Sequence, residues 1–286
     1  WLEVLAVAGQ SGRFDDADEH LRRADAAITR AGDPPALRAA WSLQRGLTHT
    51  ALGRLDAAGP ELDRALSLTE AAFGPESIEI ARVMTARGDL ARQAGKLDDA
   101  LAIHTRALAI DARALGAEHP AVARHHHNVA GVLRRLGRLD DALASYERAL
   151  ALERLLGEEH PSVGLTENSI GLVLAEQGKA ADARARFERS AAILEKASDP
   201  DRSHALVNLA DLDVADGKPT DAIARLDEAI ALLDASAGKA HPRAVAAREK
   251  RDLLRQAAPR PRPVSSAGPP LPPGGGSYGG STSWGE

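Results

Sequence analysis

The chain contains no cysteine. That excludes disulfide frameworks, thiolate metal sites and a thiol nucleophile, and nothing requires an oxidising compartment. Aromatic residues are scarce too, at 3% of 286 residues, and methionine occurs once. Strand-built cores are rich in β-branched and aromatic side chains, so this poverty speaks against sheets. No apolar run approaches the ~20 residues needed to cross a bilayer. No cationic excess marks a nucleic-acid or membrane partner: 36 Lys and Arg face 41 Asp and Glu, for a formal net charge of −5. We therefore expect a soluble, cytoplasmic chain. It begins at Trp1 and not Met, so we also expect a missing upstream segment.

What the chain has in abundance is alanine, leucine and repetition. The phrase LGAEHP at 115–120 returns as LGEEHP at 156–161 and as AGKAHP at 237–242, and FGPES at 73–77 keeps its Gly and Glu. The register is set by Gly12, Gly53, Gly95, Gly137, Gly178 and Gly217, spaced by 41, 42, 42, 41 and 39 residues. Five residues after each stands an alanine: Ala17, Ala58, Ala100, Ala142, Ala183 and Ala222. Twelve after come Ala24, Ala65, Ala107, Ala149, Ser190 and Ala229. Seven before, from the second glycine on, come Gly46, Gly88, Ala130, Gly171 and Ala210. Small residues at fixed offsets let helix backbones approach closely.

Between these marks the period is helical. In 137–157, Leu139, Ala142, Leu143, Tyr146, Ala149, Leu150 and Leu156 fall mostly at helical spacings on one stripe, with Asp140, Asp141, Glu147 and Arg148 largely off it. Each unit reads as helix A, a glycine turn, helix B and a connector. The turn glycines are left-handed caps. The acidic pairs Asp15–Asp16, Asp98–Asp99 and Asp140–Asp141 recur at one offset, which makes them first-turn residues complementing the helix dipole and not a catalytic dyad. The LGxEHP phrase is the seam, where Leu-Gly stops helix B and His-Pro starts the next helix A. Pro60 falls inside a helix B expected to begin near Leu55, so a kink or a late start is expected there.

In these letters, clearest over 115–163, the chain resembles the tetratricopeptide repeats, in the long, roughly 42-residue form of kinesin light chains and many bacterial signalling proteins. The resemblance covers about residues 1–258 and implies an all-α, right-handed α-solenoid of about six stacked antiparallel helix pairs. The first repeat is truncated and a capping helix closes the array. The Pro/Gly/Ser-rich stretch 259–286 is expected to be a disordered tail. Its GGSYG at 275–279 lacks the strand-to-helix elbow that a nucleophilic serine needs. Its PPLPP at 269–273 is either an adaptor-binding polyproline segment or plain linker.

The resemblance further implies a non-catalytic scaffold that holds a peptide or partner protein in a concave groove lined by helices A. Asn128 and Asn208 match the family's groove asparagine; the alternative is that they are ordinary polar helix residues. Glu3, Gln44, Ala86 and Ser169 stand at the same offset in other repeats. Arg82 and Arg92 share offsets with Arg124 and Arg134, with Arg135 beside them. These guanidiniums suit an acidic ligand or, failing that, ion pairs on a solvated face. A second reading is a regulatory region of a larger bacterial signalling enzyme, such as a Ser/Thr protein kinase whose catalytic domain lies upstream of Trp1. Self-association through the open first repeat is a further expectation. No cofactor and no metal is expected. The adjacent His125, His126 and His127 point ~100° apart on a helix and cannot converge on one ion.

Overall fold

The computed structural model describes residues 17–257. Gly12, Glu3, the pair Asp15–Asp16, the expected first helix A and the tail lie outside the described residues. Within them are twelve α-helices and no strand. They are α1 (Ala17–Arg30), α2 (Pro35–Ala51), α3 (Leu55–Phe73), α4 (Ile78–Gln93), α5 (Leu97–Leu115), α6 (Ala123–Arg135), α7 (Leu139–Glu153), α8 (Pro161–Glu176), α9 (Ala180–Lys196), α10 (Arg202–Ala215), α11 (Pro219–Ser236) and α12 (Pro242–Ala257). From α2 onward extensive packing joins helices adjacent in sequence, and thinner packing joins α1 to α2 and successive helices A: α2 with α4, α6 with α8, α8 with α10. That nearest-neighbour pattern defines a solenoid.

The turn glycines act as the spacing requires. At Gly137 the backbone turns to φ 74°, and Arg138 N–H reaches back to the Leu133 carbonyl at 3.0 Å. This is the six-to-one bond of a Schellman cap, in a conformation that L side chains resist. Gly53, Gly95, Gly178 and Gly217 repeat it, with φ between 71° and 77°. Seam histidines do more than precede proline. The Nδ1 of His160 accepts from Ser162 N–H at 3.3 Å, and that of His119 from Ala121 N–H at 3.1 Å, so the imidazole caps the helix start. The seam after α9 has no phrase and no glycine; Ser198 takes the left-handed turn instead, at φ 53°. The expected late start at Pro60 does not occur. α3 begins at Leu55, in register with Leu97 and Leu139, and runs through the proline.

The residues five and twelve after each described turn glycine, all alanine but Ser190, are wholly buried. Helix A meets helix B where glycine faces a large side chain. A Cβ added to Gly171 would lie 2.6 Å from the Phe187 ring, and one on Gly46 2.6 Å from Leu62 Cγ. The largest core cluster runs through α6 to α10 around Tyr146, Ile170, Phe187 and Leu209. Smaller clusters lie around Trp41 and Leu226.

Candidate protein-binding groove

Helices α2, α4, α6, α8, α10 and α12 form one face of the array. At its N-terminal end Ala40, Leu43 and Gln44 of α2 and Arg82 of α4 line a cleft of about 160 Å³, with Glu79 and the half-exposed Phe73 at its margin. At its C-terminal end Asn168, Val207, Asn208, Arg243 and Lys250 line one of about 450 Å³.

Each arginine singled out by spacing has its own situation. Arg82 and Arg124 are exposed, and no described carboxylate lies within 4 Å of either. Arg92 pairs with Asp89 on its own helix at 3.2 Å. Arg134 pairs with Glu176 of the next helix A. Arg135 reaches the Arg92 carbonyl at 3.2 Å, which brings two of the five together across adjacent repeats. Exposed pairs such as these are worth little and exchange readily.

The asparagines also diverge. Asn208 donates its amide to Asn168 Oδ1 at 2.9 Å. Asn168 stands one residue before the Ser169 that the offset points to, and Ser169 turns its hydroxyl to the Leu165 carbonyl of its own helix. Asn128 is half-buried on α6, with no side-chain partner among the described residues.

The histidine run separates as the helix demands. His125 is buried, its Nε2 2.6 Å from Asp111 of α5. His127 bonds Thr166 of α8 at 3.0 Å and meets the Tyr146 ring edge-on at 5.0 Å. Burial holds His127 at about 4 and keeps His125 and His126 below the ordinary histidine value. No group of three His, Asp or Glu that could hold a metal ion exists among the described residues. No described helix is long and apolar enough to cross a membrane.

Sequence reasoning missed a set of buried polar residues. His104, Asp111, Glu153, Glu167 and Asp213 are all within the core. Glu167 receives Arg154 at 3.2 Å, Arg186 at 2.8 Å and Arg189 at 3.2 Å. Asp213 receives Arg184 and Arg225, both at 2.8 Å. For His104 the offset was the available signal, since Leu62, Tyr146, Phe187 and Leu226 stand at the same place in other repeats.

A tetratricopeptide repeat model matches residues 36–113, 79–154, 121–196 and 162–235 in overlapping pairs of units. The chain belongs to the tetratricopeptide repeat family. Repeat arrays of this family are typically protein-interaction scaffolds and generally non-catalytic. Among solved structures, BtubC (BKLC) from P. vanneervenii is similar over 94% of this chain and 98% of its own, at 21% identity and a TM-score of 0.58. A kinesin-light-chain-type repeat protein from Podosopora anserina matches at 20% identity over 71% of this chain and 97% of its own, TM-score 0.56. A Rap protein complexed with competence and sporulation factor matches at 18% identity over 77% of this chain and 66% of its own, TM-score 0.62. These likenesses concern the fold. No curated protein matches by sequence.

Proposed function

We propose that this tetratricopeptide array is a scaffold whose helix-A face holds an acidic segment of a partner protein. The observation that carries the reading is Arg82 with Arg124. They occupy the same offset in successive helices A, stand exposed, and have no described carboxylate within 4 Å. The acids that Arg92 and Arg134 hold, Asp89 and Glu176, are partly exposed, and a ligand carboxylate can compete with them. Asn128 offers an unengaged amide on α6, between the arginine positions, suited to a peptide backbone. That a Rap protein of similar fold is complexed with competence and sporulation factor supports a ligand-holding array.

Isothermal calorimetry against synthetic acidic peptides tests this. Binding should weaken about tenfold or more in Arg82→Ala with Arg124→Ala, and should fall steeply as salt rises. Binding indifferent to both changes, or stronger for basic peptides, would remove the acidic-ligand reading.

A further inference from the structure

The joint between the third and fourth repeats is built differently from its neighbours. Nine residues after the turn glycine, helix B lays a side chain on a small residue of helix A: Leu62 on Gly46, Phe187 on Gly171. In the third repeat that side chain is His104. Its ring is fully buried, 2.6 Å from where a Cβ on Gly88 would stand. Neither ring nitrogen has a hydrogen-bond partner, and the nearest acid, Asp89, is 3.8 Å away. A second pair of offsets tells the same story. Where helix B meets the next helix A, the preceding joint presents Thr69 and Val83, the following one Glu153 and Thr166, and the one after it Leu194 and Ala205, all buried and none of them basic. This joint presents Asp111 and His125, 2.6 Å apart and buried. Two imidazoles thus occupy core positions where other repeats put Leu62, Tyr146, Phe187 and Leu226, or Val83, Thr166 and Ala205, none of which can take up a proton in this range. A neutral imidazole tolerates such a place; an imidazolium loses its hydration without adequate replacement.

We propose that this joint is a pH-responsive hinge, in which neutral His104 and His125 keep α5 docked between α4 and α6 and their protonation loosens this joint before the others. The surrounding charges oppose one another. Asp89 of α4 and Asp111 of α5 favour the imidazolium, while Arg92 of α4 and Arg124 of α6 disfavour it. The two imidazoles also disfavour each other's charge. Arg148 of α7 acts on the adjacent His126. Burial outweighs the acids, so both histidines sit below their ordinary 6.5 in the closed joint. Once exposed they return to that value. The closed form therefore loses ground as pH falls below 6.5, about tenfold per pH unit for each extra proton the open form takes up. His127 faces Thr166 and Tyr146 on the other side of α6 and does not share this opening. In a chain of nearest-neighbour contacts, one loosened joint frees two halves that each remain folded. The hinge stands whether or not the groove takes an acidic ligand.

Hydrogen–deuterium exchange of the full chain at pH 7.5 and 5.5, corrected for intrinsic rates, decides the matter. Opening of α5 and α6 should rise by roughly ten- to a hundredfold, for one or two protons. Helices α9 and α11, which carry no histidine, should change by no more than about threefold. His104→Leu with Asp111→Thr and His125→Val copies the residues of the preceding joint and should abolish the difference. If circular dichroism shows that triple variant unfolded at pH 7.5, His104→Leu alone, which repeats the packing of Leu62 over Gly46, should cut the acid response about tenfold. An equal acid response in every helix, or one that survives His104→Leu undiminished, overturns the hinge.

Discussion

A carboxylate buried in a stack of helices needs cations within reach, and Glu167 has three. Arg154, Arg186 and Arg189 converge on it from α9 and from the turn after α7. Glu153 is less well supplied. It is buried, it faces the Thr166 hydroxyl, and one of its oxygens has no partner. Burial pushes its carboxyl up to about 7, against an ordinary 4.5. A raised folded value means that its stabilisation is complete below 4.5 and fades as pH rises through 7. Glu153→Gln should therefore stabilise the protein at pH 8, on the order of 1–3 kcal/mol, and do little at pH 5; urea titrations at the two pH values measure this. Glycines separate as cleanly. Gly171→Ala drives a Cβ into Phe187 and should cost roughly 1–3 kcal/mol. Gly131→Ala, whose new Cβ meets only Tyr146 Oη at 3.5 Å, should gain about 0.5–1 kcal/mol through helix propensity. Equal effects in thermal melts would contradict the packing described.

At the scale of the helix, α3 carries the fold's clearest internal conflict. Pro60 lies within it, so Asp56 C=O has no amide to receive. The helix nevertheless starts in register, because Ala58, Leu62 and Ala65 are buried. Tertiary burial overrides local propensity here. Pro60→Ala should raise stability by roughly 1–3 kcal/mol without shifting the helix boundaries, read by urea denaturation and far-ultraviolet circular dichroism. The helices were legible in the sequence because their signals are local: a glycine at each bend, alanine five residues on, acids in the first turn. The His-Pro seam was legible for the same reason, although the capping role of the imidazole was not. Asp111 and Glu167 were not legible, because a charge on an amphipathic helix reads as surface. Their partners lie across a joint, His125 on α6 and the arginines in other elements, and no window within one helix contains both halves. His104 could have been found by offset alone, since it stands where Tyr146 and Phe187 do.

For the whole molecule, repetition places one helix from every unit on a common face, and the groove reading rests on what those helices carry there. Offsets singled out Arg82 and Arg124, which stand exposed on α4 and α6. They did not foresee that Arg134 would reach Glu176, or that Asn208 would join Asn168 and not Ser169. Such pairings depend on the small rotation from one repeat to the next, which periodicity does not encode. The absence of cysteine makes the central claim directly measurable, because a single introduced thiol is unique in the chain. Asn128→Cys places it on helix A, and Ala144→Cys, exposed on α7, places it on helix B. An acidic peptide carrying one cysteine is allowed to form disulfides with each. Cross-linking at Asn128→Cys that exceeds the Ala144→Cys yield about tenfold and disappears in high salt is the predicted result. Equal yields at the two positions, or a preference for Ala144→Cys, would contradict it.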